Sequence, residues 1–392
     1  MTDPGSLERA PRVAIFDYRT TANNPVGGCH LRLLEDLCDD YGFTVFSLSM
    51  ENPRRERIGW VRVPVPGRPL AVLFILFHIA APVRYALHKF RTGISFDLVH
   101  MVESNLWFGD VCYAHFCHRA YLRENREDRS SSRVRAFFRW LDHRLHAMAE
   151  GWVFRRARVL VVPSEGLRRE IEKTYPGTGD KIRVIPNPLD PRRYESPEGF
   201  DRSLLRLRYG FSATDLVLVF VALGHFERKG LPSLLEALAL VPSASVKLMV
   251  VGGEAALTKQ YGRVAERLGI SSRVAFAGMQ KDVRPFYWSA DAFALPSSYE
   301  TYSLVACEAA ASGLPLLISQ LHGVSEFHVD KETGYVVDRE PGSLARAIDS
   351  LARLEREERR AMGERARNAV SRRSLGRFAV EWKRLYAEMI SR

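Results

Sequence analysis

Two glutamates, Glu300 and Glu308, flank the start of an expected helix in the stretch LPSSYETYSLVACEAAASGLPLLISQLHGVSE, residues 295–326. A buried strand is expected to end at Leu295, followed by a Pro-Ser-Ser turn. The helix should then run from near Tyr302 to Gly313, a residue type suited to a helix C-terminus. The first amides of such a helix, at Tyr302, Ser303 and Leu304, have no partner within it. With the helix dipole behind them they can bind a diphosphate. Carboxylates accept hydrogen bonds from vicinal hydroxyls, so one glutamate could hold a ribose and the other a sugar. The bland alternative is a pair of solvated glutamates beside an ordinary helix.

Three further stretches carry chemistry. In VFVALGHFERKGLPSLLEAL, residues 219–238, a buried strand enters a glycine-containing turn and Lys229 stands at the head of the next helix. An ammonium there can place a point charge on a diphosphate; a solvated Lys-Gly turn is the plainer reading. Near the N-terminus, an expected strand at 13–16 is followed by a loop holding Gly27 and Gly28, then a helix from 30 to 38. Glycines ahead of a helix let backbone approach a ligand closely, and a simple turn is the alternative. In VCYAHFCHRAYL, residues 111–122, His115 ends a buried strand, where parallel sheets place site residues. His118 is the second candidate, and His100 also ends a strand.

Taken together, these motifs resemble those of the family-4 retaining glycosyltransferases of the GT-B fold. Glu300, Glu308, Ala309, Gly313 and Pro315 fall on that family's Glu, seven residues, Glu, Ala-x-x-x-Gly-x-Pro signature. The resemblance implies that Glu300 contacts the donor sugar, Glu308 the nucleotide ribose, and Lys229 the diphosphate. It also places Gly27 and Gly28 near the donor phosphate and acceptor, and His115 near the transferred sugar. Three departures stand out. Thr301-Tyr302-Ser303 replaces a glycine-containing triplet. His225 replaces the family's phosphate-binding arginine, a role open to Arg228, Arg192 or Arg193. Pro188 replaces glycine in VIPNPLD, residues 184–190.

The elements that must position these residues are legible as short apolar runs alternating with helical stretches. Strands are expected at 13–16, 44–48, 60–65, 98–101, 111–115, 159–162 and 183–185, and again at 216–223, 246–251, 274–277, 292–295, 314–318 and 334–337. Runs of Val, Leu and Ile without alternation read as strands buried on both faces, and strand–helix alternation implies parallel sheets. The expected fold is α/β: two doubly wound Rossmann-like domains of GT-B architecture with a cleft between them. Residues 1–195 would form an acceptor-binding domain and 196–373 a nucleotide-sugar-binding domain. Residues 374–392 would be a C-terminal helix packing back on the first. The Pro- and charge-rich stretch NPLDPRRYESPEGF, 187–200, marks the join.

With 392 residues, 46% apolar and 26% charged, the chain reads as soluble and globular and is long enough for two cores. A net charge of +11 favours an acidic partner: a phosphorylated substrate, an anionic membrane or nucleic acid. The five cysteines form no Cys-x-x-Cys pair, and MTDPGSLERAPR lacks the apolar core of a signal peptide. A reducing cytoplasm is therefore expected. The apolar run 70–83 is flanked by Arg68, Arg84, His88, Lys89 and Arg91. It looks too short to span a bilayer, which needs about 20 residues. A second basic segment, 119–158, has eleven arginines among aromatic and aliphatic residues. Together they suggest peripheral docking on the inner face of an anionic membrane, or a buried helix and a solvated basic face.

No Asp-x-Asp occurs, which argues against metal-dependent nucleotide-sugar binding, and no G-x-G-x-x-G follows a strand, which argues against a dinucleotide oxidoreductase. The resemblance thus implies a metal-independent transferase without cofactor. Its donor would be a nucleotide sugar, UDP-linked by default and GDP-linked as the alternative. Its acceptor would be a glycan, a lipid-linked group or another hydroxyl, in cell-surface polysaccharide or glycolipid synthesis, with no nucleic-acid partner. Two competing readings are another GT-B enzyme, such as a nucleotide-sugar epimerase, and an inactive GT-B scaffold that binds membranes.

Overall fold

The computed structural model describes residues 10–124, 133–372 and 375–391. The chain divides into two compact units. The first comprises Met1–Pro188 with Leu375–Arg392, and the second Leu189–Ser374. In chain order the strands are β1 (Arg12–Phe16), β2 (Arg19–Thr20), β3 (Gly42–Ser47), β4 (Ser49–Met50), β5 (Gly59–Arg62), β6 (Leu98–Val102), β7 (Val111–Tyr113), β8 (Val159–Val162) and β9 (Ile182–Val184) in the first unit. The second unit holds β10 (Leu216–Val221), β11 (Val246–Val251), β12 (Val274–Gly278), β13 (Ala292–Leu295), β14 (Leu316–Ile318) and β15 (Gly334–Val336).

The first sheet is parallel, in the order β5-β3-β1-β6-β7-β8-β9; β2 and β4 form a separate short pair. Successive residues of a strand point to opposite faces, and β1 is apolar on both. Val13 and Ile15 enter one core, Ala14 and Phe16 the other. Leu33, Leu34 and Leu37 of the helix Pro25–Leu37 cover the first face together with Trp382 and Tyr386 of the helix Leu375–Ile390. The second face packs Leu73, Phe77 and Ala81 of the helix Leu70–Thr92, and Val153 and Phe154 of the helix Arg133–Arg156. His100 is a core residue here. Its ring stacks on Trp382 at 5.0 Å, and its Nδ1 lies 2.6 Å from the Tyr386 hydroxyl. Burial lowers its pKa well below the usual histidine range, so the ring is neutral.

Two helices of the first unit differ in span from expectation. The apolar helix runs from Leu70 to Thr92, 23 residues, rather than stopping at 83. By length and composition alone it is long enough to cross a membrane, so the expectation that it falls short is corrected. The charged residues after Pro82, Arg84, Lys89 and Arg91, break the apolar run in the sequence and hid the continuation, although the helix goes on through them. The helix at 30–38 in fact begins at Pro25, capped by Asn24 Oδ1, which accepts the amides of Val26 and Gly27 at 3.0 Å each. In the basic segment 119–158, Arg126 and Arg129 lie outside the described residues.

The second sheet has the order β12-β11-β10-β13-β14-β15, all parallel. The chain leaves β10 toward one edge and returns at β13 toward the other. Between β10 and β13 the order switches, and in open α/β sheets the crevice beyond the carboxyl ends at such a point accepts ligands. Lys229 follows β10, and Glu300 follows β13.

Candidate ligand site at the ends of β10 and β13

Beyond β10 the chain turns through Gly224 and His225, whose φ of 54° is left-handed, into the short helix Phe226–Lys229. Gly230 ends that helix with φ 84°, and a Cβ there would lie 2.0 Å from the Pro296 oxygen. Only glycine permits this contact between the two loops. Hydrogen bonds then join them. The amide of Ser298 donates to the Arg228 carbonyl at 2.8 Å, and Arg228 Nη1 donates to the Tyr299 carbonyl at 2.7 Å. Gly230→Ala is expected to cost at least about 1–2 kcal/mol from the left-handed backbone alone, plus the clash. The check is a lowered melting temperature together with weakened ligand binding; an unchanged melting temperature would show that the loops are not clamped in this way.

This stitching assembles Arg228, Lys229 and Glu300. Lys229 Nζ donates to Glu300 Oε1 at 2.5 Å, Ser297 Oγ donates to the same oxygen at 2.9 Å, and Arg228 Nη1 lies 3.8 Å from it. Burial pushes the Glu300 carboxyl up. Lys229, Arg228 and the hydrogen bonds from Lys229 and Ser297 outweigh it, and the pKa falls below the ordinary value. An ammonium has three donors, and Glu300 takes one, so Lys229 keeps capacity for an anion. Arg228 therefore stands where the sequence lacked a second cation. Arg192 and Arg193 lie in the turn Pro191–Tyr194, where Arg193 is near Glu308.

The helix after Glu300 is Leu304–Ala311, two residues shorter at its start than expected. Ser303, at φ 61° and ψ 77°, interrupts helical geometry and serves as its N-cap without a side-chain capping bond. The N-terminal amides thus belong to Leu304 and Val305, and the Ser303 hydroxyl is buried with no hydrogen-bond partner. Tyr302 lies before the N-cap, so its amide is not one of the helical N-terminal amides, and its ring is buried. Its Cα lies against Gly323, where a Cβ would come within 2.7 Å. Glu308, further along the helix, does not join Lys229. The Tyr287 hydroxyl donates to its Oε2 at 3.0 Å, Tyr194 also hydrogen-bonds it, and Arg193 lies nearby. Burial raises the Glu308 pKa against those hydrogen bonds.

Sequence reading missed Ser297, Tyr287 and Tyr194, none of which belongs to a spacing pattern. It also passed over Gly252 and Gly253 after β11. Both are left-handed, and a Cβ on Gly252 would meet the Ala222 oxygen at 2.0 Å. A Gly-Gly pair ending a buried strand was the available signal.

The first unit holds the remaining candidates. Gly27 and Gly28 lie inside the first turn of the helix Pro25–Leu37, not in a loop before it. The amides of Val26 and Gly27 are taken by Asn24 Oδ1, and that of Gly28 by the Asn24 carbonyl at 2.7 Å. A Cβ on Gly27 would lie 2.2 Å from the Arg19 oxygen. Gly27 therefore serves close packing against β2, and the expected backbone approach to a ligand is corrected for it. His115 follows β7, almost fully buried, its ring 4.0 Å from that of Tyr113. Burial, and then His30, lowers its pKa to about 3, so it is neutral with Nε2 unpartnered. His30 itself pairs with Asp17 at 3.0 Å. His118 lies in a different cluster, with Glu103 and His146.

Residues 205–369 match the family described as Glycosyl transferases group 1, and residues 31–193 match Glycosyltransferase Family 4. A lipopolysaccharide core biosynthesis glycosyltransferase, LpsE, of Rhizobium meliloti is 37% identical over 135 residues, 34% of this chain and 39% of that protein. In three curated relatives the aligned stretch spans 66%, 39% and 45% of their length, under two thirds of each. Among solved structures, sucrose-phosphate synthase from Thermosynechococcus elongatus superposes with a TM-score of 0.76 at 18% identity, covering 97% of this chain and 99% of that one. The Anabaena protein HepE in complex with UDP and glucose superposes with a TM-score of 0.72 at 18% identity, covering 96% of this chain and all (100%) of that one.

Proposed function

The chain belongs to the family-4 glycosyltransferases of the GT-B fold, and from that premise we propose that it transfers a sugar from a nucleotide-sugar donor to a hydroxyl acceptor. The observation that carries this reading is the group at the β10/β13 switch point: Lys229 and Arg228 beside Glu300, next to the N-terminus of the helix Leu304–Ala311. Leaving-group departure puts negative charge on a nucleoside diphosphate. Fixed amides and a lysine stabilise that charge without reorganising at the moment of reaction. Glu300 would hold the sugar and Glu308 the ribose. An oxocarbenium-like sugar would then meet the acceptor on the same face, with retention of configuration and the departing phosphate taking the proton.

UDP is the proposed nucleotide, supported by the UDP complex of the HepE relative in fold. The proposed acceptor is a glycan or lipid-linked group of the cell surface, on the cytoplasmic side, supported by the LpsE relative. Thermal shift against a panel of nucleoside diphosphates and nucleotide sugars tests the donor, because a ligand stabilises by its mass-action term. Donor consumption only when an acceptor is added supports transfer. Interconversion of the nucleotide sugar without acceptor indicates an epimerase, and no binding at all indicates an inactive scaffold. The clamp uses lysine and helix amides, so magnesium or manganese added to dialysed protein should leave turnover unchanged. Turnover that appears only with either ion would contradict that reading.

The first unit is proposed to dock on an anionic membrane. On the helix Leu70–Thr92, Ile75, Ile79, Val83 and Leu87 form an exposed row ending at Phe90, which is 88% exposed. Phe137, Trp140, Met148 and Trp152 are exposed on the helix Arg133–Arg156 that packs beside it. Arg84, Lys89, Arg91 and Arg144 are charged residues of the same two helices. Since the opposite side of the first helix is fastened to its own sheet, it would lie in the interface. Each basic residue near an anionic surface contributes about 1 kcal/mol, falling off within a Debye length. Liposome co-sedimentation should show binding to anionic vesicles that weakens with salt; Ile79→Glu with Phe90→Glu should abolish it. Indifference to lipid charge or to these changes would sink the idea.

A further inference from the structure

Glu103, His118 and His146 come from three separate segments. Glu103 follows β6, His118 opens the helix His118–Glu124, and His146 lies within the helix Arg133–Arg156. Each offers one ligating atom, and these atoms all lie within 4.8 Å of one another. His118 Nε2 is 3.6 Å from Glu103 Oε2, and the His118 and His146 rings stack at 4.3 Å with 10° between their planes. Asp142 Oδ1 lies 3.8 Å from His146 Nε2.

The hydrogen bonds around this group orient both imidazoles the same way. His146 Nδ1 is 2.8 Å from Ser104 Oγ, which is also 3.5 Å from the His146 carbonyl. A hydroxyl that donates to that carbonyl accepts from Nδ1–H, which leaves the lone pair on Nε2. His118 Nδ1 is 2.8 Å from His143 Nδ1, and its Nε2 is the nitrogen that faces Glu103. That atom is buried without a hydrogen-bond partner. A histidine that binds a metal through Nε2 ordinarily holds a fixed partner at Nδ1 in this manner. Glu150 fixes the backbone beneath: it accepts the amides of His118 at 2.6 Å and Arg119 at 3.2 Å, and the Tyr175 hydroxyl at 2.7 Å.

We propose that Glu103, His118 and His146, with Asp142 as the fourth ligand, bind one divalent transition-metal ion of the zinc type. Two imidazoles with carboxylates suit zinc; magnesium and calcium prefer oxygen ligands alone. Bonds of about 2.0–2.2 Å require the side chains to draw inward and the stacked His118 and His146 rings to tilt apart, so that both Nε2 lone pairs meet at the ion. The ion neutralises two carboxylates and takes the place of the proton in the His118–Glu103 ion pair. It would tie the end of β6 to the two helices, one of which carries the exposed Trp140 and Trp152. The site lies in the first unit, whereas the proposed diphosphate clamp is built from the second. Sequence reading expected no metal because it sought Asp-x-Asp and cysteine pairs; here the ligands are scattered over 103–146 and meet only in the fold.

The test uses the full chain, stripped with chelator and titrated with zinc by calorimetry, with metal content read by elemental analysis. One zinc per chain and a higher melting temperature are expected. Glu103→Ala and His146→Ala should each weaken binding by at least about 10- to 100-fold, the loss typical even of outer-shell changes, and the half-buried His88→Ala, whose ring packs on Phe46 and Phe96 instead, should bind as wild type does. Cobalt added to the stripped wild type should give a visible absorption band of tetrahedral type, a readout independent of whether the variants fold. No stoichiometric zinc and no cobalt band, or zinc binding unchanged in both ligand variants, would overturn the proposal.

Discussion

Lys229→Ala is expected to lower kcat/KM for the nucleotide-sugar donor by roughly 30- to 1000-fold, equivalent to about 2–4 kcal/mol for loss of a charged contact in a desolvated site. Two features set the size. Lys229 is the cation in hydrogen-bond contact with Glu300, and both side chains are largely withdrawn from water. The variant should still fold, because Arg228 and Ser297 remain around Glu300. Steady-state kinetics with melting curves separate the effects: the expected result is a rate loss measured well below the melting transition, with some lowering of the melting temperature from the buried carboxylate left behind, and unchanged kinetics would remove the clamp from the mechanism. Glu308→Ala should fall in the same range if Glu308 holds the ribose. It also frees the hydroxyls of Tyr287 and Tyr194, so some loss of stability should accompany it.

A pH signature follows from Glu300. Its folded pKa is depressed, so the stability it contributes is present above the ordinary carboxylate pKa and is lost as pH falls through the folded value. Removing Lys229 takes away the largest of the effects that lower that pKa. The acid limb of the second unit's stability should then move to higher pH in Lys229→Ala. A limb that stays in place would mean that Arg228 and Ser297 alone hold the carboxylate.

The sheets were legible because their strands are apolar on both faces. Runs such as Val246–Val251 admit no amphipathic alternative, and thirteen expected strands correspond to those observed in the two large sheets. Helix starts were less legible, because they depend on caps and left-handed residues rather than periodicity. Asn24 starts its helix before the glycines instead of after them. Ser303, a residue type that seldom adopts positive φ, delays the other helix by two residues. At the candidate site, Lys229, Arg228 and Glu300 were readable as motif residues. Ser297 and Tyr287 were not, since their contribution is a hydrogen bond across the fold. The assignment of Gly27 to a ligand failed for a related reason: a glycine that lets backbone approach a ligand and one that lets two chain segments touch leave the same mark in a sequence. The Gly27–Arg19 contact distinguishes them only in three dimensions.

The largest effect on stability is expected far from any ligand, at Trp382→Ala. Trp382 is fully buried, and its ring contacts His100, Tyr113, Phe378 and Tyr386. Its helix is the last in the chain, yet it covers one face of the first sheet, where the body of the unit ends at Pro188. Truncating a buried tryptophan costs about 3–5 kcal/mol through lost transfer energy and the cavity left behind. Three polar ties at the helix surface, Tyr41 to the Lys383 carbonyl at 3.2 Å, Arg158 to the Met389 carbonyl at 3.1 Å and Lys383 to Asp40 at 2.7 Å, are too few to compensate. For a domain of this size each kcal/mol shifts the melting temperature by roughly 2–4 °C. The first unit should therefore melt roughly 6–20 °C lower, with hydrogen exchange accelerated in β1 and β6. His100 supplies an internal check. It is neutral because it is sealed beneath Trp382, so opening that seal should return its pKa toward the usual histidine value, measurable by NMR titration. A melting temperature within a degree or two of wild type, with His100 still neutral, would mean that the last helix is an appendage rather than part of the first core.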